Sequence, residues 1–281
     1  MRRSSNIRDL RGSGSRGSGL RLPIGRRGGG IGTIVVLVIV AIVGGPEALQ
    51  LFLGNGVQQP QSVPGPLDAG QREAGDFVAA ILGSTEDAWS GIFRERGAEY
   101  PPPALTLFSD GVDSACGYSS AAVGPFYCPA DRSVYLDTSF FAQLAQMGGP
   151  GDFAQAYVIG HEVGHHIQTV LGTMQQVRDA QRGVAETQAN RLQVAVELQA
   201  DCYAGVWANR ANRTGRVLEP GDIEEGLSAA AAIGDDTLQR NAGRRVTPEA
   251  FTHGSSRERQ QWLERGLSGG DIDACNTFGN L

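Results

Sequence analysis

Apolar positions along the chain change period several times, and each change marks an element. Residues 31–43, Ile-Gly-Thr-Ile-Val-Val-Leu-Val-Ile-Val-Ala-Ile-Val, are almost wholly apolar and show no alternation. With its flanking glycines the run covers 29–45, about 17 residues, which is the lower limit for a membrane-crossing helix and long for a strand. Between 70 and 97, Phe77, Ile81, Trp89 and Phe93 fall at helical spacing. Ala104–Phe108 and Ser133–Asp137 read as short strands. Helical spacing then returns over roughly 152–171, 175–211, 222–238 and 255–267. In the first of these Phe153, Tyr157, Val158, Ile167, Val170 and Leu171 share the period, Asp152 gives an acidic start and Gly172 a stop. The order predicts an α+β domain over 69–281, mainly helical with a small sheet. One transmembrane helix at 29–45 precedes it, joined by a Gly- and Pro-rich linker over 46–68.

Charge sharpens this picture at the N-terminus. Residues 1–27 hold eight arginines and one acid, Asp9, while the rest of the chain holds 16 basic and 29 acidic residues. The segment 1–28 is rich in Gly, Ser and Arg, has no periodicity and is expected to be a disordered tail. Arginines ahead of an apolar span place the N-terminus in the cytoplasm and the domain outside the cell membrane, on a single pass. The exit Val43-Gly44-Gly45-Pro46 lacks the small-residue site of a cleaved signal peptide. A basic tail also suits nucleic acid, but the apolar span and the acidic remainder argue against such a partner. The four cysteines, Cys116, Cys128, Cys202 and Cys275, fit disulfides in an exported domain. Three pairings are open; a local Cys116–Cys128 bridge is expected, which leaves Cys202–Cys275. No C-x-x-C pair suggests a structural zinc site.

The chemistry is concentrated in His161-Glu162-Val163-Gly164-His165-His166, which holds three of the four histidines. At about 100° per residue, His161 and His165 lie on one helix face and both imidazoles reach one metal ion. Glu162 stands beside them, where a carboxylate takes a proton from water. This H-E-x-x-H pattern is a zinc metallopeptidase signature. Gly164 in a helix interior costs about 1 kcal/mol relative to alanine, so it points to close approach by another backbone. Downstream, Glu197 and Asp201 are i and i+4 on a second helix. Glu197 is the expected third ligand, which leaves one position of a tetrahedral zinc open, as catalytic sites do. Asp201 is expected to accept the free ring N–H of a ligating histidine. His166 points away from the metal and reads as structural or supporting.

These motifs resemble the glutamate-zincin clan and, more narrowly, the bacterial family of putative neutral zinc metallopeptidases, usually membrane-anchored. Further segments carry the resemblance: Gly124–Pro129, Val134–Asp137, Ile233–Asp236, Phe251–Ser256 and Ala274–Phe278. It runs from about Asp113 to Phe278, and residues 1–70 carry little of it. It implies a zincin-like fold, bound Zn2+ and a peptide or protein substrate. It also makes Val134–Asp137 a candidate cleft edge onto which extended substrate adds as a strand. The expected activity is peptide-bond hydrolysis with Glu162 as general base. His253, in Thr252-His253-Gly254-Ser255-Ser256, is the candidate donor to the oxyanion, with a structural role as its rival. Asp235 and Asp236 orient a ligand or cap a turn. The competing function is an envelope binding or scaffold module on a catalytically silent zincin fold; the presence of Glu162 speaks against it.

Overall fold

The computed structural model describes residues 1–12, 66–215 and 217–279. Strand β1 (Ile7–Asp9) is followed by helix α1 (Ala69–Glu95), β2 (Ala104–Phe108), β3 (Gly111–Ser114), β4 (Gly117–Ser120), β5 (Phe126–Cys128) and β6 (Ser133–Asp137). The rest is helical: α2 (Phe140–Gln146), α3 (Asp152–Val170), α4 (Thr173–Ala180), α5 (Glu186–Gly215), α6 (Asp222–Ala232), α7 (Asp235–Asn241) and α8 (Ser256–Gly269). The expected α+β class, mainly helical with a small sheet, is what forms.

The main sheet has the order β1-β2-β6-β5. β2 lies parallel to both β1 and β6, and β5 runs antiparallel to β6. β3 and β4 make a separate hairpin. The Cys116–Cys128 disulfide ties the turn of that hairpin to β5. On the sheet, Leu105, Leu107, Val134 and Leu136 are buried. They join one core with Val78, Leu82 and Trp89 of α1, Tyr157, Ile159 and Ile167 of α3, and Tyr203 and Trp207 of α5.

α3 is the centre of this arrangement. Nearly every residue from Phe153 to Gln168 is buried, so it carries no wet face. It packs on α1, α5 and α6 and touches β5 and β6. α5 and α8 lie closely against each other, and the Cys202–Cys275 disulfide fastens the C-terminal turn to α5. Both expected cysteine pairs are thus present, and the described residues contain no free thiol.

Several expectations are corrected. The tail 1–28 is not disordered throughout, because residues 7–9 are a strand of the main sheet. Three residues gave too short a pattern to register, and the partner strand lies almost 100 positions away. Val134–Asp137 is not a sheet edge: β6 is bonded on both sides, to β2 and to β5. The edge on that side is β5, too short to show alternation. The expected helix 175–211 is two, broken after Ala180, where Gly183 adopts φ of 77°. The expected helix 222–238 also divides, at Ile233–Gly234, because Asp235 and Asp236 turn to bind the 252–256 loop. The expected membrane span at 29–45 and most of the linker 46–68 lie outside the described residues. Among the described residues no helix is long and apolar enough to cross a membrane.

Candidate metal centre

α3 brings the two motif histidines to a buried point where α5 crosses it. Gly164 permits the crossing: a Cβ there would stand 2.9 Å from the Ala200 carbonyl oxygen and 3.0 Å from its Cα. The close backbone approach expected from that glycine is therefore made by α5. It sets Glu197 and Asp201, one turn apart, against His161 and His165.

The donor atoms converge. Glu197 Oε2 lies 3.2 Å from His161 Nε2 and 3.6 Å from His165 Nε2. All three residues are buried, and their ligand atoms lie within 4.8 Å of one another. Zinc with bonds of about 2.0–2.2 Å in a tetrahedron separates its ligands by about 3.3–3.6 Å, so the set fits that ion. The partners of the opposite ring nitrogens fix the tautomers. His161 Nδ1 donates to Asp201 Oδ1 at 2.8 Å, and His165 Nδ1 donates to Gln168 Oε1 at 2.9 Å. With both Nδ1 atoms carrying the proton, both Nε2 lone pairs point at a carboxylate oxygen. Three electron-rich atoms facing one another need a cation or a proton between them.

The supporting groups form two networks. Asp201 accepts from Tyr157 Oη at 2.5 Å and takes both Arg259 Nε and Nη2, at 2.9 Å each. Gln168 donates from Nε2 to the Val196 carbonyl at 2.7 Å and to Gln199 Oε1 at 3.0 Å. Gln199 in turn donates to the Cys275 carbonyl at 3.0 Å. One histidine is therefore held by an ionic pair and the other by a chain of neutral amides that ends at the disulfide-bonded tail.

The electrostatics follow from burial and pairing. Burial pushes the His161 pKa down, but Asp201 and Glu197 outweigh it and hold it at about 9, so at neutral pH Nε2 carries a proton wherever a metal ion does not take its place. Burial would raise Glu197, yet His165 and His161 bring it well below the ordinary carboxylate range. Asp201 is held at about 2: burial opposes, while Arg259 and His161 prevail. Glu162 goes the other way, because burial raises it more than the two histidines lower it. A carboxylate raised in this manner is suited to accepting a proton.

His253 joins the site from the 252–256 loop. Asp235 Oδ2 accepts the backbone N–H groups of Thr252, His253 and Gly254 at 2.7, 2.6 and 3.0 Å. Its Oδ1 lies 3.3 Å from His253 Nδ1. Asp236 accepts from the Ser256 N–H at 2.7 Å. Both aspartates thus fix the loop that presents His253. The His253 ring is close enough to Glu197 for each charge to shift the other. Burial lowers the His253 pKa, but Asp235 and Glu197 bring it above the ordinary value of 6.5. His166 faces away, as expected: it lies 3.1 Å from Tyr127 Oη and 2.6 Å from the Pro101 carbonyl, and burial holds its pKa at about 4. It is neutral and ties β5 to α3.

The structure brings together every residue expected at the site. Tyr157, Gln168, Gln199 and Arg259 were not foreseen. Gln168 had a signal, being a polar residue one turn after His165 in an apolar run. Arg259 had none, because an arginine in Ser256-Arg257-Glu258-Arg259 reads as a wet helix surface.

The model of the family described as putative neutral zinc metallopeptidase matches residues 1–278. Escherichia coli K12 has a relative, the uncharacterized protein YpfJ, 44% identical over 285 residues, covering 99% of this chain and 97% of that protein. The uncharacterized proteins Mb2605 of Mycobacterium bovis and Rv2575 of Mycobacterium tuberculosis are each 40% identical over 219 residues, 73% of this chain and 72% of theirs. No solved structure matches the chain significantly. The family match extends to residue 1, so the N-terminal segment, thought to carry little of the resemblance, is part of it.

Proposed function

The chain belongs to the putative neutral zinc metallopeptidase family, and we propose that it is a zinc-dependent endopeptidase cleaving peptide bonds outside the cytoplasm. One observation carries the reading: two Nε2 atoms, fixed as acceptors by Asp201 and Gln168, converge with Glu197 at zinc-like separations. His161, His165 and Glu197 would hold the ion. Zinc in such a site acidifies water and polarises a carbonyl. Glu162 takes the proton of the attacking water and passes it to the leaving amine. His253, clamped by Asp235, donates a hydrogen bond to the carbonyl oxygen as it gains charge. An extended substrate is proposed to add to β5, the sheet edge that Tyr127 and His166 fasten to α3. Two disulfides support an oxidising compartment.

The test is zinc analysis of the purified full chain together with hydrolysis of an unfolded protein. About one zinc per chain and metal-dependent cleavage support the proposal. A zinc-loaded protein without hydrolytic activity would favour the scaffold reading instead.

A further inference from the structure

Residues 1–12 fill a slot built by α1 and β2. Asn6 and Leu10 bond the backbone of β2: the Asn6 carbonyl accepts from Leu105 N–H and Leu10 N–H donates to the Leu107 carbonyl, both at 2.8 Å. Ser4 N donates to the Ala79 carbonyl of α1 at 2.9 Å. The slot is shaped for backbone: a Cβ at Gly83 of α1 would overlap the Arg2 carbonyl oxygen. It is also charged for this segment. Glu86 of α1 is buried, and its hydrogen bonds come from Arg2 at 2.7 Å, Ser4 Oγ at 2.5 Å and Asn6 Nδ2 at 2.7 Å. Without residues 2–6 that carboxylate would lose its partners. Arg3 pairs with Asp76 at 2.7 Å. Arg11 is buried against Asp9 and donates to the Gln71 carbonyl at 2.8 Å.

We infer that this slot is a docking site for the chain's own first eleven residues, and that the N-terminus and the peptidase domain therefore share one compartment. Residues 12 and 66 are attached to one body, so a membrane between them must be crossed an even number of times. The apolar run 29–45 suffices for about one crossing and no more. A single pass with the N-terminus in the cytoplasm and the domain outside is incompatible with β1 in the sheet, whichever copy of the chain donates the strand. The basic character of the tail has a different origin in part: Arg2, Arg3 and Arg11 are committed to Glu86 and Asp87, to Asp76 and to Asp9. Those arginines answer acids of the fold rather than the sidedness of a membrane.

The experiment places one epitope before Met1 and one after Leu281 of the full chain in bacterial cells. Protease is then added to intact spheroplasts and to lysed ones. Both epitopes are expected to be lost together or protected together; loss of one alone overturns the inference. A second measurement guards against a tail that is on the same side but undocked. In the purified parent the N-terminal epitope should resist trace protease. The double variant Ser4→Ala/Asn6→Ala should lose it about tenfold faster, since local opening becomes cheaper by the lost hydrogen bonds, while its zinc content stays that of the parent. Equal trimming of parent and variant overturns the docking.

Discussion

Asp201 grips Arg259 with both carboxylate oxygens, each 2.9 Å from a guanidinium nitrogen, and the same carboxylate holds the ring of His161. Both partners of the ion pair are fully buried. The arrangement makes α8, a helix that contributes no metal ligand, part of the machinery that orients one. It follows that Arg259→Ala leaves a buried, uncompensated charge. Unfolding by denaturant should show a loss of about 3–5 kcal/mol. A Tm equal to that of the parent would mean the pair is dispensable.

Glu162→Gln should abolish hydrolysis and keep zinc. The glutamate shares the pocket but lies outside the His161–His165–Glu197 set. Its raised pKa also predicts that kcat/KM falls as pH drops through that value, since only the carboxylate accepts a proton. A purified, zinc-loaded Glu162→Gln protein with full activity would remove the assignment.

Glu197→Ala should lower zinc affinity far more than Asp201→Ala or Gln168→Ala. The first removes a ligand. The other two remove supporting bonds to His161 and His165, each worth about 10–100-fold in affinity. Competition with a chelator measures all three on one scale. Gln168→Glu keeps an acceptor for His165 Nδ1 and should recover much of what Gln168→Ala loses. Equal affinities across the set would show that Glu197 is not a ligand.

The residues that could hold the metal were legible in the sequence because helical geometry places residues four apart on one face. That rule covers His161 with His165 and Glu197 with Asp201. Even the crossing of the two helices left a trace, in Gly164. What escaped is what tertiary distance decides. β1 lies almost 100 residues from the strand it joins. Arg259 becomes a core residue only because Asp201 waits for it on another helix. The family resemblance made β6 an edge candidate, but three-residue β5, too short to show a period, pairs along its other side. Short strands and buried ion pairs are specified by partners, and partners are not local.

Loss of the Cys202–Cys275 bridge should weaken zinc binding without touching a ligand. It closes a loop of 73 residues, against 12 for Cys116–Cys128. Chain entropy then gives about 4 kcal/mol for the long loop and about 3 for the short one. The Cys275 carbonyl is the far end of the amide chain from His165, through Gln199 and Gln168. A Cys202→Ala/Cys275→Ala protein should therefore show both a lower unfolding midpoint and a lower zinc affinity. Removing Cys116 and Cys128 should lower the midpoint alone. Unchanged zinc affinity in the first protein would uncouple the tail from the site.

His253 offers the sharpest separation of metal binding from catalysis. Its Nδ1 faces Asp235 and the hydroxyl of Thr252, so a donor at Nε2 requires the imidazolium. Asp235 and Glu197 favour that form against burial, and the pKa lies above 6.5. The donor is present below the raised pKa and lost as pH climbs through it, so kcat/KM should decline on the alkaline side of that value. The same sign holds for stability: the contribution of this pair is complete below the unfolded value near 6.5 and disappears as pH climbs through the folded one. His253→Ala should keep its zinc and lower kcat and kcat/KM together, by about 3 kcal/mol, the loss typical of one oxyanion donor. The alkaline decline should vanish with it. Asp235→Asn keeps the loop's backbone acceptor but weakens the charge on the ring, so the decline should move to lower pH. A His253→Ala protein that loses its metal would make the histidine a ligand. One with unchanged kcat/KM at every pH would leave it a clasp for the loop.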